Sequence, residues 1–313
     1  MAVNYVDIGQ FKRVLLIYNH NSGKQFFASM LSKMNEVFKI LKLRFGTKNV
    51  WMPEFKRFDE FAGIIAQAKQ EQVDWVIIAG GDGTIRAVIE QLQEQDFAPY
   101  VSVFPAGTVN LIAKELLLSS DPLKWTKRVF KGIEKPIFVA RCNGKTFLTV
   151  AGIGFDSLVV DRVTELEKKL LSKFAYVLQG TELMRKELLF SNWRYTFKVR
   201  FDDEDRWYDA ASVIVGKSHY YAGRYCLFRN ATLTEPYLYT AVLPGNKRTD
   251  FLRYAALMGM EALSLDKNIV IRKSQKVEIS CNVEGFPAEL DGDAVTEAPL
   301  QISIADKPIR FLA

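Results

Sequence analysis

The sequence predicts a protein of two domains, a parallel α/β domain followed by an antiparallel β domain. Apolar runs alternate with helical patterns from residue 13 to about 118, whereas strand-like segments bounded by turn residues dominate after residue 135. The chain has 313 residues, and 49% of them are hydrophobic, which is enough to fill two cores. We therefore expect an α/β domain at residues 1–134, a β domain at residues 135–304, and a return of residues 305–313 to the first domain.

The first domain contains apolar runs that are each followed by a helical pattern. These runs are RVLLIY, NVWMPEF, DWVIIAG and YVSVFPAG. Their order predicts a parallel sheet flanked by helices, and in such open sheets ligands bind beyond the carboxyl ends of the strands. Turns that contain glycine follow three of the runs, at residues 22–23, 80–83 and 107. We expect these three loops to meet at one site.

The second of these turns, GGDGT at residues 80–84, leads from a buried strand into a helix. Glycine accepts backbone angles that other residues resist, so main-chain N–H groups can face outward beside a helix N-terminus near Thr84. Such a turn attracts a phosphate, and Asp82 is then a candidate Mg²⁺ ligand or base. The alternative is that Asp82 only caps the helix, and the turn by itself leaves both open.

The first and third turns offer weaker signals when each is taken alone. Their candidate phosphate-binding residues are Asn19, Ser22, Gly23 and Lys24 in the first turn and Gly107, Thr108 and Asn110 in the third. We expect Asn110 in the first turn of a helix, where an asparagine is also a common cap. Three such turns at neighbouring strand ends favour a phosphate or nucleotide pocket over three unrelated caps.

The second domain follows a basic amphipathic connector at residues 121–135. Its strand-like segments and turn residues predict an antiparallel β domain. Helical patterns interrupt it at residues 155–189 and 248–263. Within the first of these, residues 166–186 combine lysines with leucines and aromatics, which fits an interfacial helix or, as the commoner case, an amphipathic helix packed on the β domain.

The charge and cysteine content limit the classes of partner and compartment. Lys and Arg outnumber Asp and Glu by 42 to 36, a diffuse excess that suits nucleotide phosphates or an acidic membrane surface but not nucleic acid. Three separated cysteines indicate neither a disulfide framework nor a zinc ribbon, which favours a reducing cytosol. We see no signal peptide and no apolar run of about 18 residues, so we expect peripheral contact with the inner membrane face.

Five stretches of the sequence occur in a recognisable order: NHNSGK, GGDGT, PAGTVNLIAKEL, AGIGFDSLV and ELDGD. Together they resemble the diacylglycerol kinase catalytic domain superfamily, which includes bacterial lipid kinases and sphingosine kinases, over residues 13–295. The resemblance implies a three-layer α/β nucleotide domain and a C-terminal antiparallel β-sandwich. It also implies an enzyme that transfers the γ-phosphoryl group of ATP, with Mg²⁺, to the hydroxyl of diacylglycerol, phosphatidylglycerol or a sphingoid or ceramide lipid.

The resemblance also assigns roles to individual residues. It places a nucleotide loop at Asn19, Ser22 and Gly23, a phosphate loop at Gly80, Gly81, Asp82, Gly83 and Thr84, and a third wall at Gly107, Thr108 and Asn110. Asp156 corresponds to an acid that orients the substrate headgroup, although it also fits a helix cap. The sequence departs from the family at His20, where proline is usual, and at Glu235 and Pro236, which replace an Asp-Gly near a structural Mg²⁺ site. We therefore leave that second metal open.

The turn LDGD at residues 290–293 carries the candidate general base. On its own it is a hairpin turn, for which Asp-Gly is a common dipeptide. Through the resemblance, Asp291 and Asp293 form a pair in which one carboxylate takes the proton of the lipid hydroxyl while the other holds metal or lysine. Asp293 stands where the family has glutamate, and its side chain is one methylene shorter. Asp82 remains the competing base.

Two other functions share parts of this pattern. NAD kinases and phosphofructokinases also carry Gly-Gly-Asp-Gly, but their other signatures do not occur in this sequence. A lipid-binding or nucleotide-binding regulatory protein on the same fold is the second alternative, because of the departures at His20, Glu235 and Asp293. ATP consumption with lipid vesicles distinguishes it from an enzyme. We expect no nucleic acid partner, and a homodimer is a candidate assembly.

Overall fold

The computed structural model describes residues 4–19, 27–155, 157, 196–221 and 225–313. The chain divides into two compact units, Met1–Phe138 with Lys307–Ala313 and Val139–Asp306. Strand β6, which precedes the first division point, pairs with the C-terminal strand of the chain. The last residues of the chain therefore belong to the first unit.

The first unit is built on a seven-stranded sheet. Its strands are β1 (Asn4–Tyr5), β2 (Val14–Tyr18), β3 (Val50–Trp51), β4 (Trp75–Gly80), β5 (Tyr100–Pro105), β6 (Ile133–Ile137) and β21 (Ile309–Leu312). The strand order is β1-β6-β21-β5-β4-β2-β3. The run from β21 to β3 is parallel, β6 pairs antiparallel with β21, and β1 pairs antiparallel with β6. Every residue of β2 and β4 is buried, as expected for parallel strands covered on both faces.

Helices cover both faces of this sheet. They are α1 (Phe27–Phe45), α2 (Phe61–Gln70), α3 (Asp82–Glu94), α4 (Leu111–Glu115) and α5 (Pro122–Val129). The connection from β2 to β3 moves outward in the sheet, whereas those from β3 to β4 and from β4 to β5 move back. Because such crossovers are right-handed, α1 lies on one face and α2 and α3 lie on the other. Accordingly, α1 contacts α5 and α2 contacts α3.

Some elements of the first unit differ from the sequence-based expectation. The predicted strand NVWMPEF is paired only over β3, and Asp82, not a residue near Thr84, begins α3. The predicted connector contains α5, which is anchored by the buried Trp125 because its indole Nε1 donates to the Val103 carbonyl at 2.7 Å. A helical cap at Asp121, whose carboxylate accepts from the Lys124 N–H, starts α5.

The second unit consists of two six-stranded antiparallel sheets. The first sheet contains, in spatial order, β11 (Tyr208–Ala210), β10 (Phe197–Phe201), β17 (Lys276–Cys281), β20 (Leu300–Ile304), β7 (Ala140–Cys142) and β8 (Lys145–Phe147). The second contains β16 (Val270–Ser274), β15 (Leu238–Leu243), β12 (Ser212–Gly216), β9 (Val150–Ile153), β18 (Pro287–Leu290) and β19 (Asp293–Glu297). A short ribbon, β13 (Tyr220–Tyr221) and β14 (Tyr225–Cys226), and helix α6 (Arg248–Gly259) complete the described part of this unit.

Side chains from both sheets form one hydrophobic core in the second unit. Strand β10 alternates buried and more exposed residues, with Phe197, Val199 and Phe201 on the buried face, as a period of two requires. The ring of Phe197 meets that of Phe286 edge to face at 5.2 Å. The predicted fold class, an α/β domain with a β-sandwich, is confirmed. The helix expected at residues 248–263 forms as α6, whereas residues 166–186 lie outside the described part of the chain.

No helix in the part of the chain that the structure describes is long and apolar enough to cross a membrane.

Candidate functional site

The carboxyl ends of β2, β4 and β5 lie at the same edge of the parallel sheet. In the strand pairing Tyr18 is opposite Ala79, and Gly80 is opposite Pro105. The pairing of β2 with β4 continues one residue beyond Tyr18, since the Asn19 N–H donates to the Ala79 carbonyl at 3.0 Å. The first turn is described only as far as Asn19, so the predicted contacts of Ser22, Gly23 and Lys24 lie outside the described residues. The second and third turns are described in full.

Asn19 and Thr84 join the first turn to helix α3. Both side chains are buried, and the Asn19 amide Nδ2 donates to the Thr84 hydroxyl at 2.8 Å. A Cβ at Gly80 would lie 2.6 Å from the Thr84 Cβ, so only glycine fits at the end of β4. Two of the predicted phosphate-binding side chains are thus engaged with each other. They fix the position of the phosphate loop.

The second and third turns touch through their glycines. A Cβ at Gly107 would lie 2.3 Å from the Gly81 Cα, closer than any side chain allows. Asn110 closes the third turn, because its Oδ1 accepts from the Gly107 N–H at 2.9 Å and its Nδ2 donates to the Gly107 carbonyl at 2.7 Å. Thr108 lies inside this closed turn. The main chains of the two loops therefore lie directly against each other.

Asn110 is not in the first turn of a helix, as we expected, but is the N-cap residue of α4. Its φ of +54° lies in the left-handed region, which asparagine tolerates better than most residues. The side chain does not cap α4, since it is already bonded to Gly107. A different residue caps this helix.

That residue is Asp82, from the phosphate loop. Its Oδ2 accepts from the Leu111 N–H at 3.0 Å, and its Oδ1 accepts from the Ile112 N–H at 3.3 Å. Asp82 therefore caps α4, which follows it by 29 residues, and not its own helix. A carboxylate offers about four lone-pair sites, so this type of group can accept N–H bonds and bind a cation together. The contact fixes the direction of this carboxylate at the strand-end edge.

In the second unit, Asp291 and Gly292 form the turn of the hairpin between β18 and β19. Leu290 pairs with Asp293, and the two residues between them have φ values of +52° and +87°. Positive φ at both central positions is the requirement of a type I′ turn, for which Asp-Gly is a preferred sequence. Glu289, which is buried, accepts from the Gly292 N–H at 2.7 Å. The backbone of this stretch is therefore a hairpin turn, which is what its sequence indicates without the family resemblance.

The carboxylate of Asp291 is bonded to the segment at residues 148–150. Its Oδ2 accepts from the Leu148 N–H at 2.8 Å, while its Oδ1 accepts from the Thr149 N–H at 2.8 Å and the Thr149 hydroxyl at 2.7 Å. The Val150 N–H adds a fourth bond to Oδ1 at 3.2 Å. Both oxygens are therefore engaged. Asp293, at the start of β19, is partly buried and pairs with Leu290 across the turn.

Lys217 is a further residue of this region, which the sequence did not single out. Its side chain is 0% exposed, and its Nζ donates to the carbonyls of Thr232 and Glu235, each at 2.6 Å. Its main-chain N–H donates to the Thr149 carbonyl at 2.8 Å. The ammonium thus joins the 232–235 loop to the segment that binds Asp291. Only its position directly after the apolar run SVIVG hinted at burial.

The second metal that the sequence left open would lie in the 232–236 segment. There the Glu235 carboxylate pairs with the Lys273 ammonium at 2.8 Å, and the Glu235 carbonyl accepts from Lys217. No group of three or more His, Cys, Asp or Glu side chains suited to a metal occurs within the described ranges. A lysine cation therefore already occupies the carbonyl oxygens of this loop.

Asp156, the candidate headgroup residue, lies outside the described residues, but its neighbours are held firmly. Gly154 has a φ of +112°, and a Cβ there would lie 2.8 Å from the Ala211 carbonyl oxygen. The buried Ser157 hydroxyl donates to the Gly154 carbonyl at 3.0 Å. The ring of Phe155 packs on that of Phe251 at 5.5 Å.

The cysteines are unsuited to nucleophilic chemistry. Burial raises the pKa of Cys142 to about 12, and it also raises the pKa values of Cys226 and Cys281. All three are free thiols. Since the thiolate is the reactive form, these residues stay protonated and unreactive near neutral pH.

Comparison with known proteins identifies the family. Residues 13–142 match the diacylglycerol kinase catalytic domain, and residues 149–313 match the YegS C-terminal NAD kinase beta sandwich-like domain. The chain belongs to the family that these two domains define, a diacylglycerol kinase catalytic domain followed by a YegS C-terminal domain. The resemblance read from the sequence is thus confirmed, and so is the prediction of a lipid kinase. Membership of a kinase family implies ATP as the phosphoryl donor.

Relatives of this family align over nearly the whole chain. The protein is 27% identical over 289 residues to a diacylglycerol kinase of Bacillus subtilis, with 90% of each chain covered. It is 24% identical over 288 residues to a diacylglycerol kinase of Staphylococcus carnosus, with 92% of this chain and 90% of that one covered. A crystal structure of a diacylglycerol kinase from Bacillus anthracis shares the fold, with a TM-score of 0.75 at 22% identity and 97% of each chain covered.

Proposed function

We propose that this lipid kinase transfers the γ-phosphoryl group of ATP to the hydroxyl of a lipid, and that diacylglycerol is its first candidate substrate. The observation that carries the proposal is the contact between Gly81 and Gly107, which brings the main chains of two strand-end loops together. Diacylglycerol is favoured because two relatives that align over nine-tenths of their length are named for it. Phosphatidylglycerol and sphingoid or ceramide lipids are the other candidate acceptors.

The nucleotide phosphates bind, in this proposal, at the main chain of the second and third turns. Helix α3 begins with the N–H groups of residues 81–83, which have no acceptor within the helix. Such N–H groups at a helix N-terminus can donate to an anion. Gly80, Thr84 and Asn19 hold this loop in place. Gly107, Thr108 and Asn110 form the neighbouring wall. Ser22, Gly23 and Lys24 remain predicted contacts.

Asp82 is the residue of this unit that fits a Mg²⁺ ion. Its carboxylate oxygens are the ligand type that Mg²⁺ prefers, and a carboxylate can accept two N–H bonds and bind a cation at the same time. When bound, Mg²⁺ would supply neutralisation of the charge that develops on the transferring phosphoryl group. The hydrogen bonds from Leu111 and Ile112 orient the Asp82 carboxylate before any ligand arrives, which is the preorganisation that phosphoryl transfer requires.

The acceptor side belongs to the hairpin at residues 290–293. We assign Asp291 to hold the 148–150 segment, because both its oxygens are bonded there. We assign Asp293 to accept the proton of the lipid hydroxyl at one of its carboxylate oxygens. Asp82 stays the competing base, and Asp156 the candidate for headgroup orientation.

The test is the transfer of radiolabelled phosphate from ATP to a panel of these lipids in detergent micelles, with Asp82→Asn and Asp293→Asn beside the native protein. We expect a labelled lipid with the native protein, loss of transfer in Asp82→Asn, and a lower kcat in Asp293→Asn. ATP binding without any labelled lipid across the panel would instead support the regulatory alternative. Full activity in Asp82→Asn would overturn its role.

We also propose that the protein associates peripherally with the inner face of the membrane, where a lipid substrate has to be reached. The net charge of +6 and the free thiols support this placement, since anionic lipids attract a basic protein and a reducing compartment preserves thiols. Homodimerisation stays a prediction, which light scattering of the purified chain tests.

A further inference from the structure

The two helical faces of the first unit differ in charge. Helices α1 and α5, which contact each other, carry seven basic residues and one acidic residue. Helices α2 and α3, on the opposite face, carry two basic and three acidic residues. Among these four helices the positive charge is thus concentrated on one side of the sheet, which the diffuse distribution along the sequence does not show.

The outer surface of α5 combines lysines with a leucine. Its inner surface consists of the buried Pro122, Trp125, Thr126 and Val129, whereas Leu123, Lys124 and Lys127 are exposed. The exposed fraction of Leu123 is 64%. On α1, Leu43 is 79% exposed next to the exposed Arg44. Leucine beside exposed cations is the composition of an interfacial surface.

Leu117, in the connection from α4 to α5, is 76% exposed and has a φ of +57°. It occupies the position after a helix C-cap where glycine is usual. The Leu118 N–H donates to the Ala113 carbonyl at 2.8 Å, and the Leu117 N–H donates to the Lys114 carbonyl at 3.0 Å, which together make a Schellman motif. A leucine here carries backbone strain and exposes its side chain to water. Backbone strain and an exposed apolar side chain are both unfavourable for stability. Their combination at one residue indicates that this side chain binds something outside the folded unit.

Like charges are also crowded at the end of α5. Burial lowers the pKa of Lys135, and the positive charge of Arg128 lowers it further, while Glu115 opposes the effect. The Nε of Arg128 is buried without a hydrogen-bond partner among the described residues. An anion brought to this side of the unit would relieve the repulsion.

We propose that the basic face, residues 29–45 with 122–131, docks on an anionic phospholipid surface with Leu123 entering the headgroup region, together with Leu117 from the connection that leads into α5. The proposal rests on the proposed function, because a lipid kinase has to work at a bilayer. A bilayer offers phosphate groups and apolar chains together, and the basic face presents matching cations and leucines. A second copy of this face is a poor partner because both surfaces are positive, and a nucleic acid leaves the leucines without a contact.

The experiment is sedimentation with vesicles in the absence of ATP, which separates membrane binding from catalysis. We expect the native protein to bind vesicles that contain phosphatidylglycerol and to bind vesicles of phosphatidylcholine far more weakly. Lys124→Gln with Lys127→Gln should lower binding to the anionic vesicles by about 30-fold, since each lysine near such a surface contributes about 5-fold. The matched control, Lys56→Gln with Lys267→Gln, removes two exposed lysines elsewhere and should bind like the native protein.

Leu117→Gly gives a second test, which separates a membrane role from a structural one. Glycine relieves the strain at a positive φ, so this variant should have a higher Tm than the native protein. Its binding to anionic vesicles should nevertheless fall by about 10-fold, because the apolar side chain is gone. A merely structural leucine would leave vesicle binding unchanged.

Failure of this inference is distinguishable from failure of the proposed function. Transfer of phosphate to diacylglycerol dispersed in detergent should be the same in all these variants, because no bilayer has to be bound. Equal binding of native protein and the Lys124/Lys127 variant to anionic vesicles would overturn the docking surface and leave the kinase proposal intact. Binding of an oligonucleotide without binding of vesicles would overturn it in favour of a nucleic acid partner.

Discussion

The substitution Asp291→Asn separates a structural from a catalytic role at the 290–293 hairpin. Asparagine tolerates the left-handed backbone at this position, so the turn itself should form. The carboxylate, however, accepts four hydrogen bonds, and an amide has one oxygen for them. If the amide oxygen keeps the bonds at Oδ1, its nitrogen faces the Leu148 N–H, and a donor then meets a donor.

The size of this effect follows from the bonds lost. One buried N–H without an acceptor costs about 1–3 kcal/mol, and the remaining bonds lose the contribution of a charged acceptor, so we expect a loss of about 2–4 kcal/mol in the free energy of unfolding. Urea denaturation, followed by tryptophan fluorescence, measures it. Asp293→Asn is the matched control and should lower stability far less while it lowers kcat. Native-like stability of Asp291→Asn, or a larger loss in Asp293→Asn, would refute the division of roles.

Three further predictions follow from the glycine contact, the buried lysine and the buried thiol. Gly107→Ala should raise the KM for ATP at least about 10-fold by pushing the two loops apart, whereas Gly63→Ala, which meets no atom within 4 Å, should leave it unchanged. Lys217→Met should lower the free energy of unfolding by about 2–4 kcal/mol in urea, because two buried carbonyls lose their donor. Cys142 should resist iodoacetamide in the native protein at pH 8, and the stability it contributes should be lost as pH rises from about 9 towards 12, since its pKa is raised in the folded state.

The order of strands and helices could be predicted because each one depends on a local pattern in the sequence. Parallel strands buried on both faces appear as continuous apolar runs, as in VLLIY of β2 and WVIIAG of β4. The hairpin at residues 290–293 was readable because Asp-Gly fits a type I′ turn by its own backbone preference. Glycine at position 80 was likewise expected at a tight exit from a strand. Each of these depends on neighbours in sequence.

The partners of the site residues could not be predicted, because they are distant in sequence. Asp82 bonds to residues 29 and 30 positions away, and Asp291 bonds to a segment more than 140 positions away. Thr84 stays a predicted phosphate contact, but the bond that its hydroxyl accepts from Asn19, 65 residues earlier, could not be foreseen. Lys217 appears in the sequence as an ordinary lysine, since burial of its ammonium depends on carbonyls that a loop presents 15 and 18 residues later. Motifs identified the candidate residues, whereas their hydrogen-bond partners depend on tertiary contacts.

A crystal structure of the protein with ADP would show where the nucleotide phosphates bind. We expect the diphosphate at the main-chain amides of the loops around Gly81 and Gly107, within reach of the Asp82 carboxylate. A diphosphate bound anywhere else on the protein, or these two loops separated in the complex, would contradict this expectation.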